Sequence, residues 1–325
     1  MTTTAGSIVK PEGDATIPPT SLADIDVALA ELTARKGEWA NTSLAERIDL
    51  LESVAANTVT VAEDWVTAAC HAKAIPLDSN IAGEEWHSGP ALTARNARLL
   101  RDSLVDILET GHPKIPGPVT SRSNGQTVAQ VFPVDNYDKA LWTGYRAEVW
   151  MAPGVTPGNL KSTMAVNYQP GSDRSGRVAL VLGAGNISSI PPMDALSKLF
   201  IDNEVVVLKM NPVNEYIGPF LDEVFADFIA RGYLRIVYGG GEQGKYLVHH
   251  ALVDTVHITG SDKTHDAIVF GTGEEGEARK HAGDPILTKP ITSELGNVSP
   301  VIVVPGPWSD ADIEYQGRNI AAMLT

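Results

Sequence analysis

The sequence has one cysteine, Cys70, among 325 residues. An intrachain disulfide and a cysteine-based metal cluster are therefore excluded. Eight histidines are present, but none stands in an HExxH-like pattern, so the sequence indicates no metal site. Because Cys70 lies in an N-terminal helical stretch, we expect it to be a small buried side chain and not a reactive thiol.

Long apolar runs and a positive charge balance are missing as well. No stretch approaches the about 18 apolar residues of a membrane span, and the first residues lack a basic region followed by an apolar one. The 40 acidic residues outnumber the 25 basic ones, and the resulting formal net charge of -15 repels nucleic acid backbones and anionic lipids. The sequence therefore predicts a cytoplasmic protein with no nucleic acid partner and no membrane partner.

What is present is an ordinary globular composition, with 43% apolar residues. Residues 1–20 are rich in Thr, Pro and Gly, and we expect a loosely ordered lead-in there. Capping-box spacing at Ser21 and Asp24, and again at Ser43 and Glu46, predicts a mainly helical stretch up to about residue 110. Many Gly and Pro residues between short extended runs indicate an arm or hairpin within about 114–176.

From residue 177 onward, short β-rich runs alternate with helical ones. Strands that are apolar on both faces and separated by helices predict an α/β fold with a doubly wound parallel sheet. The clearest helix is predicted from Ile217 to Ile229, with Gly232 at its end. The predicted strands are Val178–Leu182, Glu204–Met210, Leu234–Tyr238, Thr255–Thr259 and Val301–Val304.

Three glycine-rich segments follow predicted strands. Gly183 to Ser188 is similar to a dinucleotide fingerprint without its third Gly, or is simply a strand-to-loop turn. Gly239 to Lys245 has phosphate-loop spacing, but Tyr246 stands where a magnesium-binding hydroxyl is needed. Ser261, after the fourth predicted strand, either leaves helix-start N–H groups open to a pyrophosphate or caps the following helix.

In this order, the elements resemble the aldehyde dehydrogenase superfamily, whose members bind a nicotinamide cofactor on a Rossmann-type sheet without the usual glycine fingerprint. The resemblance is firm from about Val178 to the end and weaker in the helical N-terminal part. It implies NAD or NADP as the cofactor, held by Lys209, Gly241 and Ser261. Pro212 stands where strictly NAD-dependent members have an acidic residue, so the choice between the two cofactors stays open.

The resemblance also implies the chemistry. Asn186 is placed like the asparagine that donates to the oxyanion of the bound aldehyde, and Glu294 like the glutamate that activates water to hydrolyse a thioester. The implied product is a carboxylic acid. Two departures are visible, because Gly185 replaces a common aromatic residue and Asn297 replaces the second Gly of the glutamate motif.

The cysteine nucleophile of this family lies a few dozen residues beyond the glutamate, a position that falls after Thr325. A last helix is predicted from the Ser309 and Asp312 pair, and it stops without Gly, Pro or a polar tail. We therefore expect residues 21–290 to form an NAD(P)-binding domain and residues 291–325 to be the truncated start of a catalytic domain. The apolar positions predicted for this helix are Ile313, Ile320, Met323 and Leu324.

Three interpretations remain open at this point. In the first, the full-length parent is a homo-oligomer that oxidises an aldehyde substrate. In the second, the chain is a non-catalytic nucleotide-binding fragment or a pseudoenzyme. In the third, it is a conventional Rossmann dehydrogenase that uses Gly183 and Gly185.

Overall fold

The computed structural model describes residues 17–296 and 299–324. Most of the lead-in, 1–16, and Asn297 lie outside the described residues. The helices are α1 Leu22–Asn41, α2 Leu44–Ala72, α3 Ala82–Trp86, α4 Leu92–Thr110, α5 Asn136–Leu141, α6 Ile190–Phe200, α7 Gly218–Val224, α8 Ala226–Arg231, α9 Gly241–His249, α10 Asp262–Val269, α11 Gly273–Ala282 and α12 Asp310–Leu324. The strands are β1 Val119–Ser121, β2 Thr127–Phe132, β3 Ala147–Trp150, β4 Val178–Leu182, β5 Val205–Lys209, β6 Leu234–Val237, β7 Thr255–Gly260 and β8 Ile291–Leu295.

The N-terminal part is helical, as predicted, and its helices begin at the predicted caps. The Ser21 hydroxyl accepts from the backbone N–H of Asp24 at 3.1 Å. Ser43 and Glu46 form a full capping box, in which each side chain accepts from the other residue's backbone N–H. These bonds satisfy N–H groups that a helix start otherwise leaves unpaired.

Two sheets follow. The Gly- and Pro-rich segment holds a three-stranded antiparallel sheet of order β1-β2-β3. The second sheet has five strands in the order β6-β5-β4-β7-β8, and all four pairings are parallel. The two central strands, β4 and β5, are almost entirely buried, because helices α1 and α6 pack against both of them. The prediction of a Rossmann-type α/β sheet is therefore confirmed.

The prediction of a strand at Val301–Val304 is wrong. This run has strong β propensity, but a strand also needs a paired neighbour, and no described residue pairs with it. Its four side chains are 53 to 79% exposed. The fifth place in the sheet belongs instead to β8, which the apolar pattern missed because the Thr-Ser-Glu sequence at its centre is polar and exposed.

The predicted helix from Ile217 to Ile229 is interrupted. Phe225 has φ −100° and ψ 19°, outside the helical region, and separates α7 from α8. Its side chain is fully buried and packs edge-on against Phe228, with ring centroids 5.9 Å apart. The apolar periodicity therefore predicts the helical stretch correctly, but the backbone bends at Phe225, where the aromatic rings pack together. Gly232 ends α8 in the left-handed conformation, as predicted.

The last helix, α12, begins at the predicted Ser309 and Asp312 pair, where the serine hydroxyl accepts from the Asp312 N–H at 3.2 Å. Ile313 is 58% exposed, so at this position the predicted apolar face has no cover among the described residues. The side chains of Met323 and Leu324 lie outside the described part. None of the described helices is long and apolar enough to cross a membrane.

Candidate functional site

The five predicted site residues lie at one edge of the parallel sheet. Asn186 follows β4, Lys209 ends β5, Gly241 follows β6 and begins α9, and Ser261 follows β7. Glu294 lies near the end of β8, paired in register with Thr259 of β7. Carboxyl ends of parallel strands share an edge, and ligands of such sheets bind there at the point where the strand order reverses. In this sheet that point lies between β4 and β7.

The loop that carries Asn186 is held from several sides. Gly183 donates its N–H to the Lys209 carbonyl at 3.1 Å. The buried Asn214 amide donates to the carbonyls of Ala184 and Ile187, both at 3.4 Å. Asn186 itself is exposed. The fixed backbone is the preorganisation that an oxyanion donor requires, and the exposed amide is accessible to a ligand.

Gly185, one of the two departures from the family pattern, has a steric explanation. A Cβ at this position would lie 2.9 Å from Cγ of Asn211, so a larger residue would require the Asn211 side chain to move. The loop accommodates a glycine here because Asn211 occupies the space beside it. The sequence alone gave no sign of this contact, because the two residues follow different strands.

Lys209 is the most buried of the predicted residues, at 7% exposure. Its ammonium makes no hydrogen bond or ion pair with any residue in 17–296 or 299–324. Burial lowers the pKa of Lys209, and the negative charge of Glu215 raises it by a smaller amount. The side chain is mostly buried and its ammonium has no acceptor among the described residues, so the site has bonding capacity that a ligand's hydroxyl groups could fill.

We expect Lys209→Met to stabilise the fold at pH 7 while the site is empty. The pKa of Lys209 is lower in the folded state than in the unfolded state, so the charged lysine destabilises the fold. This destabilisation is complete at pH values below the folded-state pKa and disappears as the pH rises through the unfolded-state pKa. The gain at pH 7 should be about 1 kcal/mol, the lower end of the cost of an unpaired buried polar group. Urea unfolding at pH 7 and pH 10.5 measures it.

The exposed Lys161, changed to Met, is the matched control, and its free energy of unfolding should hardly change. A Lys209→Met protein that is less stable than the wild type at pH 7 would contradict the assignment of an ammonium whose charge is penalised by burial.

The glycines before α9 leave open space at the end of β6. Gly239 has φ +128°, which favours glycine, and its neighbour Gly240 donates its N–H to Oε1 of Gln243 at 3.1 Å. A Cβ at Gly241 would meet no atom within 4 Å. A ligand can therefore approach the backbone at the start of α9, where N–H groups point outward.

Ser261 caps α10. Its hydroxyl accepts from the backbone N–H of Thr264 at 3.1 Å, so the capping interpretation of this residue is confirmed. The cap leaves Ser261 at the carboxyl end of β7, beside the point where the strand order reverses.

Glu294 is exposed on β8, which pairs only with β7 among the described strands. Strand geometry places alternate residues on one face, so Glu294 and Thr292 share a face. That face carries a polar cluster that the sequence analysis missed: Asp194 of α6, His257 and Thr259 of β7, and Thr292 of β8. Only the histidine inside an apolar strand, Val256-His-Ile258, was a sequence signal for it.

Cys70 is fully buried, as predicted, next to Val66 and Ala82. Burial raises the pKa of the Cys70 thiol, and the nearby Glu85 carboxylate raises it further. Both effects favour the unreactive thiol over the thiolate. In the described residues, no three His, Cys, Asp or Glu side chains are grouped as a metal site would need.

A large cavity is separate from these residues. It is an open groove of about 1570 Å³, lined by residues that include Leu51 of α2, Arg95 of α4 and Leu141 of α5. None of the five predicted residues lines it. The groove has mainly apolar walls, whereas the sheet edge offers the polar groups that a dinucleotide needs.

The parallel sheet, its strand order and the open strand ends define a Rossmann-type α/β protein. Residues 186–325 match the aldehyde dehydrogenase family. Betaine aldehyde dehydrogenase of Beta vulgaris, a chloroplast protein, is 24% identical over 304 residues, covering 92% of this chain and 48% of the relative. The chain is therefore similar to the aldehyde dehydrogenase family over residues 186–325.

Solved structures show the same fold. An aldehyde dehydrogenase from Bartonella henselae superposes with a TM-score of 0.52 at 14% identity, covering 89% of this chain and 48% of that one. The NADP-dependent glyceraldehyde-3-phosphate dehydrogenase of Bacillus halodurans C-125, solved with NADP, gives 0.50 at 17% identity, covering 86% and 46%. The chain thus spans about half the length of these relatives.

Proposed function

We propose that this chain supplies the NAD(P)-binding part, the oxyanion donor and the hydrolytic base of an aldehyde dehydrogenase that converts an aldehyde to a carboxylic acid. The observation that carries the proposal is the position of Asn186, Lys209, Gly241, Ser261 and Glu294 at one edge of the sheet. The match of residues 186–325 to the family supports it.

The residues at the edge fit a dinucleotide. The buried Lys209 ammonium has no hydrogen-bond acceptor among the described residues and suits ribose hydroxyls, and the space at Gly241 admits a bulky group to the start of α9. The Bacillus halodurans relative was solved with NADP, and we extend NAD or NADP to this chain as part of the proposal. When bound, the nicotinamide ring accepts the hydride.

In this proposal, one side chain binds the oxyanion and a second side chain activates the attacking water. The exposed amide of Asn186, on its anchored loop, donates to the developing oxyanion. The Glu294 carboxylate takes a proton from the water that attacks the thioester. A glutamate in this position favours release of a carboxylic acid over transfer to coenzyme A.

A second candidate function has an observation in its favour. The only cysteine in the 325 residues is the buried Cys70, so this stretch alone offers no accessible thiolate. A nucleotide-binding fragment or pseudoenzyme would have the same appearance. A conventional Rossmann dehydrogenase is disfavoured, because α6 begins at Ile190, seven residues after Gly183, and the glycines do not open a helix.

Cofactor titration tests the proposal on the chain itself. We expect heat of binding for NAD or NADP by calorimetry, and roughly tenfold weaker binding in Lys209→Met, equal to about 1.4 kcal/mol for one lost charged hydrogen-bonding group. Lys161→Met should bind like the wild type. A folded wild type that shows no heat of binding at millimolar cofactor would contradict the proposal. Unchanged affinity in Lys209→Met would contradict the role of the lysine.

We also propose a homo-oligomer in a cytoplasmic location. Support for the oligomer comes from large apolar side chains exposed in and beside the antiparallel sheet, among them Trp142, Tyr145, Val149 and Trp150. A single free cysteine is in keeping with a reducing compartment.

A further inference from the structure

A buried arginine lies where the first two helices meet. Arg47, in the first turns of α2, is 3% exposed, and its guanidinium stacks on the ring of Trp39 at 4.0 Å. Nη2 donates to the Trp39 carbonyl at 2.6 Å and to Oδ1 of Asn203 at 2.5 Å, and Nε donates to the Thr42 carbonyl at 3.2 Å. All three acceptors are neutral oxygens, and Nη1 has no hydrogen-bond partner among the described residues.

The positive charge of Arg47 has no counter-ion in residues 17–296 and 299–324. Burial lowers the pKa of Arg47, and the ionisable neighbours with the next largest effects are Tyr168, which raises it, and Arg174, which lowers it. The Tyr168 hydroxyl is no counter-ion, because burial raises its pKa and its hydrogen is donated to the Phe200 carbonyl at 2.6 Å. An arginine is seldom buried without a paired anion, so this arrangement is unusual.

A small pocket of about 110 Å³ lies beside this arginine, and Arg174 and Leu44 line it as well. The Arg174 guanidinium forms no ion pair in the described part of the chain. Its backbone is held against α1, because the Asn41 amide donates to the carbonyls of Gly37 at 2.8 Å and Arg174 at 3.1 Å. Leu44 is the first residue of α2, where backbone N–H groups have no partner within the helix.

The acidic residues next in sequence to the pocket are engaged elsewhere. Glu46 accepts from the N–H and the hydroxyl of Ser43 at 3.3 and 2.9 Å, and its other oxygen lies 3.9 Å from Arg231. Asp173 accepts from the N–H and the hydroxyl of Ser175 at 2.9 and 3.1 Å. Both carboxylates are exposed and neither lines the pocket, so water and salt screen their charges.

The pocket is distinct from the proposed cofactor site. Asn203 precedes β5 and Arg174 precedes β4, so the pocket lies at the amino ends of the strands, whereas Lys209 and Asn186 lie at the carboxyl ends. A five-residue strand spans about 16 Å. A water molecule occupies about 30 Å³ in the liquid, so the pocket has room for about three or four waters, which suits one small anion and excludes a dinucleotide.

We propose that this pocket binds a small tetrahedral oxyanion, phosphate or sulfate, between Arg47, Arg174 and the start of α2. The two guanidiniums supply the charge and the donors that such oxygens bind best. The N–H groups and the dipole at the start of α2 add to the attraction. The bound anion ties the junction of α1 and α2 to the segment that leads into β4.

Titration of the chain with phosphate or sulfate tests the site, with sodium chloride added to keep the ionic strength constant. In ¹H–¹⁵N NMR, the indole N–H signal of Trp39 should shift with saturation, because the Arg47 guanidinium lies on this ring; its loss in Trp39→Phe assigns it. Chloride alone should leave the signal in place. Calorimetry should give the same affinities independently of the assignment.

Arg174→Gln is the informative variant, since its side chain is exposed and makes no contact that the fold needs. It should bind phosphate about tenfold more weakly, as expected for loss of one charged hydrogen-bonding group. Arg146→Gln, an exposed arginine outside the pocket, is the matched control and should bind like the wild type. Glycerol phosphate distinguishes the source: tighter binding than inorganic phosphate assigns the pocket to a phosphate ester, and weaker binding assigns it to the free anion.

Three results would overturn the site. The first is a folded wild type with no saturable binding, and the second is saturable binding that leaves the Trp39 signal unmoved, which would place the anion elsewhere. The third is equal affinity in the wild type and in Arg174→Gln. A melting temperature that rises equally and without saturation in both proteins would count with the first result, because salts excluded from the surface stabilise any fold in this way.

Discussion

Given an aldehyde and NAD or NADP, the 325-residue chain is expected to form no reduced cofactor. Asn186 and Glu294 act on an adduct that exists only after a thiolate has attacked, and removing the nucleophile from such a unit abolishes nearly all of the rate gain. The single thiol, Cys70, is buried and has a raised pKa. A longer protein that contains this chain and supplies an accessible cysteine at the site should turn over aldehyde. Absorbance at 340 nm with several aldehydes measures both.

Cys70→Ser is the informative control for this prediction. It should leave the longer protein active and the 325-residue chain inactive, because a buried thiol in the N-terminal helices has no part in the reaction. Turnover by the 325-residue chain that disappears in Cys70→Ser would show that Cys70 is the nucleophile and that the account of the missing thiolate is wrong.

The second large effect is expected for Asn186 and Glu294 in the longer protein. Asn186→Ala should lower kcat by about 10²- to 10³-fold, the loss measured when one oxyanion donor is removed. Glu294→Gln should keep the first turnover and slow the steady state by a comparable factor, because only hydrolysis needs the base. Stopped-flow measurement should therefore show a burst of about one equivalent of reduced cofactor in Glu294→Gln and none in Asn186→Ala.

Glu277, on α11, provides a matched control, and Glu277→Gln should behave like the wild type. A Glu294→Gln protein that loses the burst and the steady state equally would place the glutamate before hydride transfer. That result would contradict its assignment as the hydrolytic base.

Much of the fold could be predicted because its signals are local. Four of the five parallel strands follow from short apolar runs, and the helix starts follow from Ser–acid spacing at Ser21, Ser43 and Ser309. The failures come from tertiary context. Val301–Val304 has the right propensity but no paired neighbour among the described strands, and Phe225 leaves helical geometry because its ring is buried against other aromatic rings.

The candidate site also has a part that the sequence predicted and a part that it missed. Asn186, Lys209 and Glu294 follow from the resemblance to the aldehyde dehydrogenase superfamily, and Glu294 lies on a strand that the apolar pattern missed. The structure brings them to one edge because the carboxyl ends of parallel strands meet. The roles of these residues stay predictions. The cluster of Asp194, His257 and Thr292 was missed because its members lie on three elements far apart in sequence, and only the register of β7 with β8 brings two of them together.

The groove between α2 and α4 offers a competing place for a ligand, with a large volume and mainly apolar walls. The arginines that line it, Arg95, Arg98 and Arg101, are all in ion pairs, whereas the Lys209 ammonium has none among the described residues. We therefore expect a cofactor to bind at the sheet edge.

A crystal structure of this chain with bound NAD or NADP tests the central claim most directly. The account predicts the adenosine ribose within hydrogen-bonding distance of the Lys209 ammonium and the pyrophosphate near the starts of α9 and α10, at Gly241 and Ser261. The nicotinamide end should lie towards Asn186 and Glu294. Cofactor bound in the groove between α2 and α4, or at the amino ends of the strands, would contradict the account.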